Sequence, residues 1–390
     1  MSLFVDVDYA SINKYKEELC GDKVEIIRNE NSVIIVLADG LGSGVKANIL
    51  STLTSKIIGT MLSMGSTIEE AVETIASTLP VCKVRDLAYS TFSILQIYEN
   101  GEAYLVEFDN PSAIRLKKGR HVVIDKEERE IEGKLIKESR FLMSPDDVII
   151  LITDGAIHAG VGEFLNLGWQ WENVKEYAER IYKKDMSVKN ISNTLLSACD
   201  SLYAGKAGDD TTVVAVKLRN AQPVNVLIGP PSDKNMDSYV VDRFISQQGK
   251  KVICGGTTAQ IVSKVTGKEI ATSFNYIDPS IPPTAKIEGI DLTTEGVLTM
   301  YKALEYAKKY LSSENVIQDF SDINKEDGAS KLAKLLLEDS TEVSFLVGRA
   351  INPAHQNPDF PLNLGMKLKL VNDMENCLKQ LGKKVFVEYF

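Results

Sequence analysis

The run Ser32-Val33-Ile34-Ile35-Val36-Leu37-Ala38-Asp39-Gly40-Leu41-Gly42-Ser43-Gly44 carries the reading of the first half of this 390-residue chain. Its apolar, β-branched stretch predicts a buried strand, which ends abruptly on an acid and alternate glycines. A helical stretch from Val45 to Met64 follows and resumes from Ile68 to Leu79. Further β-rich runs lie on either side: KVEIIRN (23–29), STFSILQIY (90–98), GEAYLVEF (101–108), SAIRLKKG (112–119), DVIILIT (147–153) and TTVVAVKLR (211–219). Gly, Asn or Pro turns separate several of them, and a second helical region lies within Trp171 to Tyr203. Strands in hairpin succession with helices grouped between them predict an antiparallel α+β layered domain rather than a parallel dinucleotide-binding sheet.

The length suggests two domains. Residues 1–220 hold 33 acidic and 25 basic residues, whereas 221–390 hold 21 and 19, so most of the net charge of −10 lies in the first part. The boundary is placed at Asn220-Ala221-Gln222-Pro223, where proline interrupts a strand ladder. The acidic balance argues against nucleic acid or an anionic membrane as partner. Cys20, Cys82, Cys199, Cys254 and Cys377 are scattered without a CxxC pair or a zinc-finger spacing, which fits a reducing compartment. No segment reads as a signal peptide or membrane span, so the expected location is the cytoplasm.

Aspartates stand where strands end or begin. Asp39-Gly40 follows Val33 to Ala38, Asp154-Gly155 follows Val148 to Thr153, Asp209-Asp210 precedes Thr211 to Leu218, and Asp22 precedes Val24 to Ile27. Aspartate is poor inside strands, so these groups are placed to converge at one rim of the sheet, where they repel one another unless cations neutralise them. Oxygen ligands without His or Cys favour Mg²⁺ or Mn²⁺ over zinc. Two such ions, about 3.5–4 Å apart and sharing a carboxylate, would hold a hydroxide for in-line attack on phosphorus. Each Asp-Gly or Gly-Asp-Asp taken alone is an ordinary turn sequence; the ordered set is what points to chemistry. The glycines at 40, 42 and 44 permit close backbone approach to a metal or anion. The segment lacks the GK[ST] of a phosphate-binding loop, and no ribose-binding acid follows at the expected distance.

The order Gly21-Asp22, Ala38-Asp39-Gly40-Leu41-Gly42-Ser43-Gly44, Ser90-Thr91, Thr153-Asp154-Gly155 and Gly208-Asp209-Asp210-Thr211-Thr212 resembles the metal-dependent protein phosphatases (PPM) of type 2C, in their bacterial SpoIIE/RsbU-like branch. The resemblance covers residues 1–219. It implies an antiparallel β-sandwich flanked by helices and removal of phosphate from phosphoserine or phosphothreonine on a protein, with an anti-anti-sigma-like regulator as a frequent substrate. By the resemblance, Asp39 bridges two Mn²⁺ or Mg²⁺ ions and the Gly40 carbonyl binds one of them. Asp154 and Asp209 complete the shell of the other, Asp22 holds metal-bound water, and Asp210 is a supporting or alternative ligand. Asp39, Asp154 and Asp209 are thus the catalytic candidates.

Leu41 stands where the eukaryotic pattern has a histidine, so the general acid is unassigned. His158 is one candidate; the alternatives are a surface role for it and water as the donor. Trp169 and Trp171 would shape a flap or bury a local helix, Arg85 would grip phosphate or form an exposed ion pair, and Cys20 is a small core residue or a redox switch.

The second half alternates strand and helix: Asn225 to Gly229, Tyr239 to Gln248, Lys251 to Cys254, Thr257 to Val265, then helices at Gly296 to Leu311, Ser330 to Leu337 and Leu370 to Leu381, with strands at Val343 to Val347 and Val385 to Glu388. This predicts an α/β domain with a parallel or mixed sheet. The turn Gly255-Gly256-Thr257-Thr258 is a candidate loop for a small anionic ligand, although a helix cap needs the same residues. Ser232-Asp233 would share its sheet edge, and His355 with Asp359 forms a second, weaker pair. The expectation is a phosphatase with a sensory or docking domain; a homodimer is a candidate assembly. The alternative is a catalytically retired phosphatase fold that acts as a ligand- or partner-binding signalling protein.

Overall fold

The strand read from Ser32 to Gly40 lies in the interior of an antiparallel sheet and is buried on both faces. In this computed structural model the described residues are 2–78, 81–82, 87–88, 90–272, 281–312, 321–350, 356–357, 360–361 and 364–390. The chain divides into two compact units, the first built on Met1–Asn220 and the second on the chain from Ala221 onward.

In the first unit the strands are β1 (Leu3–Ile12), β2 (Asp22–Arg28), β3 (Ser32–Gly40), a short ribbon of β4 (Val81–Cys82) and β5 (Leu87–Ala88), β6 (Ser90–Tyr98), β7 (Glu102–Phe108), β8 (Ile114–Lys117), β9 (Arg120–His121), β10 (Glu127–Ile131), β11 (Lys134–Leu142), β12 (Val148–Ile152) and β13 (Thr211–Asn220). They form two antiparallel sheets, ordered β10-β11-β7-β6-β3-β2 and β1-β13-β12-β8-β9. Ile35 and Leu37 of β3 meet Ile149, Leu151, Val214 and Val216 of the other sheet in the interior of the sandwich. The alternate residues Ile34, Val36 and Ala38 face the helices α1 (Gly44–Ser63) and α2 (Ile68–Thr78). Burial on both faces explains why β3 reads as a continuous apolar run rather than an alternating one. The outer face of the second sheet is covered by α3 (Asp154–His158), α4 (Trp171–Ile181) and α5 (Val188–Leu202), so the layers run helix, sheet, sheet, helix.

Two features depart from the reading above. The stretch Trp171 to Tyr203 contains two helices rather than one, α5 being capped by the Ser187 hydroxyl. The N-terminal segment forms β1, which pairs along its whole length with β13. Its Asp6 and Asp8 disguise it as polar; in the fold Asp6 meets Arg219 at 3.0 Å and Asp8 meets Lys189 at 3.7 Å.

The second unit contains β14 (Pro223–Ile228), α6 (Asp237–Ser246), β15 (Lys250–Cys254), α7 (Gly256–Thr266), β16 (Ala271–Thr272), β17 (Ala285–Lys286), β18 (Leu292–Thr294), α8 (Val297–Leu311), α9 (Gly328–Lys334), β19 (Glu342–Val347), a ribbon of β20 (Gln356–Asn357) and β21 (Phe360–Pro361), α10 (Leu364–Gln380) and β22 (Lys384–Tyr389). Its sheet is mixed: β18-β15-β14-β19-β22 are parallel, while β17 and β16 extend it antiparallel from β18. Pro223 does not merely end a ladder. It is the first residue of β14, a position proline tolerates.

Leu37 is fully buried between the sheets. Replacing it by Ala is expected to cost about 2–5 kcal/mol of unfolding free energy, read from the midpoint of a urea titration.

Candidate metal centre

Asp22 is the first residue of β2, and the ladder sets it directly opposite Asp39 near the end of β3. Asp154 begins α3 immediately after β12, and Asp209 and Asp210 lead into β13, the neighbour of β12 in the other sheet. The site is therefore assembled at one end of the sandwich from both sheets. The Thr153 hydroxyl joins the two halves: it donates to Asp22 Oδ2 at 2.8 Å and accepts from the Thr212 amide at 2.9 Å.

Small residues make the close approach possible. A Cβ on Gly40 would fall 2.0 Å from the Ala47 carbonyl of α1, and one on Gly155 would fall 2.2 Å from the Asp210 carbonyl. Either substitution would push a backbone away from the rim. The Gly40 amide meanwhile donates to the Gly21 carbonyl at 3.1 Å, which ties the end of β3 to the start of β2.

The electrostatics express the crowding. Burial, reinforced by the charges of Asp22, Asp154, Asp209 and Asp210, pushes Asp39 up to about 9. Burial pushes Asp22 up to about 7 against the opposing hydrogen bonds of the Thr212 and Thr153 hydroxyls, with Asp210 and Asp154 adding to the rise. Asp154 is raised by burial and Asp209, and Asp210 chiefly by burial. Two buried oxygens, Asp22 Oδ1 and Asp210 Oδ2, have no hydrogen-bond partner of good geometry among the described residues; the latter lies close against Gly21. Orphaned carboxylate oxygens in an all-oxygen rim suit hard divalent cations, so Asp22, Asp39, the Gly40 carbonyl, Asp154, Asp209 and Asp210 fit such ions chemically. Among the described residues, however, no three acidic, His or Cys side chains close on one point tightly enough to hold an ion. The carboxylates share a field rather than a finished shell.

Lys14, in the segment between β1 and β2, escaped the sequence reading. Its amide donates to Asp210 Oδ1 at 3.0 Å, its ammonium stands 3.9 Å from Asp209, and its charge opposes the rise at Asp154. No local pattern marks it, because its partners lie about 195 positions away.

The remaining candidates divide. His158 is exposed at the end of α3, within the field of Asp154. Trp171 donates through Nε1 to the Ser112 carbonyl at 2.7 Å and Trp169 packs on Tyr177, so both bury α4. Cys20 is buried, and burial drives its thiol pKa strongly upward. Arg85, His355 and Asp359 lie outside the described residues. Asp233 accepts from the Asn235 amide and caps the short helical turn 234–236. Gly255, Gly256, Thr257 and Thr258 do begin a helix, α7, but no side chain caps it.

Residues 29–219 match the sequence model described as Stage II sporulation protein E (SpoIIE). Residues 29–219 form a SpoIIE domain. Among solved structures, the chain is similar to the phosphatase domain of the cell fate determinant SpoIIE from Bacillus subtilis, at 19% identity over 57% of this chain and 95% of that one, with a TM-score of 0.45. It is also similar to the RsbU and RsbW domains of a Mycobacterium tuberculosis protein (15% identity, 69% and 71% covered, TM-score 0.48) and to RsbX in complex with magnesium (20%, 55% and 95%, 0.39). No relative is found among curated proteins. The match to the SpoIIE model ends at residue 219, before the second unit begins.

A carboxyl whose folded pKa is raised contributes stability that is fully present below its unfolded value and is lost as pH rises through the folded one. For Asp39 that window runs from its ordinary 3.8 to about 9. Asp39→Asn removes this loss. In chelator its Tm is expected to exceed the parent's, by a gap that opens steadily across the window; thermal melts showing a gap independent of pH would refute the account.

Proposed function

We propose that the SpoIIE domain is a phosphoprotein phosphatase that hydrolyses phosphoserine or phosphothreonine with two Mn²⁺ or Mg²⁺ ions held by Asp22, Asp39, Gly40, Asp154, Asp209 and Asp210. The observation that carries this reading is the rim of five carboxylates drawn from two sheets, with two buried oxygens lacking partners of good geometry. Bound there, the cations supply the positive charge that offsets these carboxylates and polarises water and phosphate for in-line displacement.

The chain's own groups supply the rest. Thr153 fixes one oxygen of Asp22, while the other has no hydrogen-bond partner among the described residues. Asp39, opposite Asp22 and raised more than any other member for which a value is resolved, carries the greatest need of a cation. Lys14, beside Asp209, is placed to grip a non-reacting phosphate oxygen as a point charge. Leu41 holds no proton and His158 faces solvent, so the leaving oxygen takes its proton from water at this open end of the sandwich. The substrate inferred is a phosphorylated protein of the anti-anti-sigma kind, and the second unit is assigned a sensory or docking role.

One observation favours the rival reading of a retired, partner-binding phosphatase fold, namely that no three of these side chains close on one point. Titration calorimetry decides between them, since a retired site takes up no Mn²⁺. In the phosphatase reading, Asp39→Asn and Asp154→Asn each lower hydrolysis of p-nitrophenyl phosphate and of a phosphoserine peptide by roughly 10²–10³-fold, as losses of charge stabilisation do. Full activity in either variant would sink the assignment. Lys14→Ala is expected to raise KM for the phosphopeptide about tenfold with little change in kcat, the loss of one charge-assisted contact.

A further inference from the structure

Strands β15 and β18 are neighbours in the parallel part of the second unit's sheet, and each leads into a helix. Those helices part. Helix α7 packs on one face through Ala259 and Val262, and α8 on the other through Met300, Ala303 and Leu304. Both begin at the carboxyl edge, where open α/β sheets take their ligands.

The two starts are built alike. Gly255 precedes α7 with φ +130°, Gly296 precedes α8 with φ +144°, and no side chain caps either helix. Any residue with a side chain would be strained in that conformation, so the usual Ser, Thr, Asp or Asn cap is excluded. The starts also touch, since a Cβ on Gly296 would fall 3.2 Å from the Gly255 Cα. The amides of Gly255 and Gly256 donate to the carbonyls of Thr294 and Glu295, both at 3.0 Å, which fastens the two turns together. The amides of Thr257 and Thr258 in α7, and of Leu298 and Thr299 in α8, find no acceptor among the described residues. Two positive helix ends therefore add at one place.

A buried side chain points into the first of these ends. Thr258, three residues after Gly255, is 2% exposed; its Oγ1 has no hydrogen-bond partner among the described residues and lies 3.0 Å from where a Cβ on Gly255 would stand. That is where a capping side chain would begin. Thr299 repeats the pattern three residues after Gly296, being 1% exposed with a hydroxyl that again has no partner among the described residues. Burying such hydroxyls costs stability unless something bonds them. The space beside the turn is open, for a Cβ on Gly256 would meet nothing within 4 Å. A ligand oxygen in the vacant cap position would accept from the Thr258 hydroxyl and from the unused amides. Because the donors come from helices on opposite faces of the sheet, they do not share the plane of a carboxylate, whereas a tetrahedral phosphate can meet both. Glu295 lies between the two turns, and its charge reaches the buried Cys254 thiol. An acid so placed favours an ester whose hydroxyl groups can donate to it over a bare anion.

We propose that the second unit binds a small, hydroxyl-bearing phosphate monoester, with its phosphate seated on the paired starts of α7 and α8 at Gly255, Thr258, Gly296 and Thr299. The site does not depend on the phosphatase reading of the first unit. It gives the second unit a chemical input.

The test is thermal melting and titration calorimetry on the full chain in chelator, with glycerol 3-phosphate as the probe and potassium chloride of equal ionic strength as the control. The expected result is a saturable rise in Tm of a few degrees with the probe and none with the salt. Thr258→Val removes only a hydroxyl that bonds nothing among the described residues, so the free variant should melt no lower than the parent while its affinity for the probe falls several-fold. Thr299→Val should behave in the same way, and the double variant should show no rise. Asp39→Asn should leave the affinity unchanged, which separates this site from the carboxylate rim. Absence of a rise with the probe overturns the proposal, as does an equal rise with the salt. So does a rise that persists in the double variant, or one that vanishes in Asp39→Asn.

Discussion

Strand pairing sets Asp22 opposite Asp39, and these two carboxylates cannot draw apart without breaking the ladder between β2 and β3. The rest of the first unit can be understood from that constraint. Like charges held close in a poorly solvated rim raise each other's proton affinity. The cost is borne by the apolar sandwich beneath, whose core residues Ile35, Leu37, Ile149 and Val214 are fully buried. An antiparallel sandwich suits this task because both sheets end at the same rim, so acids far apart in sequence are delivered to one place by elements that cannot easily flex.

The aspartates were legible because aspartate is out of place at the end of an apolar run, and five of them in order leave few alternatives. The two sheets were legible for the same reason, since strands buried on both faces declare themselves by continuous Val, Ile and Leu. What escaped notice was polar. Strand β1 alternates Asp6 and Asp8 with apolar residues, and only the distant Arg219 and Lys189 make those acids tolerable. The hairpin of β10 and β11 is nearly as charged and lies at a sheet edge, where burial imposes little pattern. Lys14 belongs to the same class, being defined wholly by what folding brings to it.

In the second unit the alternation of strand and helix is legible, but apolar periodicity begins the helix near the C-terminus at Leu370. The helix itself starts at Leu364, and the six residues between include the buried Lys367. An apolar-periodicity argument begins a helix at its first buried aliphatic residue, so it passes over a turn whose buried member is a lysine. The turn after β15 was marked by its glycines, yet the choice between helix cap and ligand loop needed the structure, where no side chain caps α7.

The Thr153 hydroxyl, bonded at once to Asp22 of one sheet and to the Thr212 amide of the other, is a rivet through the seam of the sandwich. Because the rim draws its acids from both sides of that seam, a slip of one sheet across the other would disperse them before either sheet lost its own hydrogen bonds. The chemistry of the rim thus acts as a gauge of how the sheets are docked: function and interlayer packing fail together, while secondary structure can outlast both.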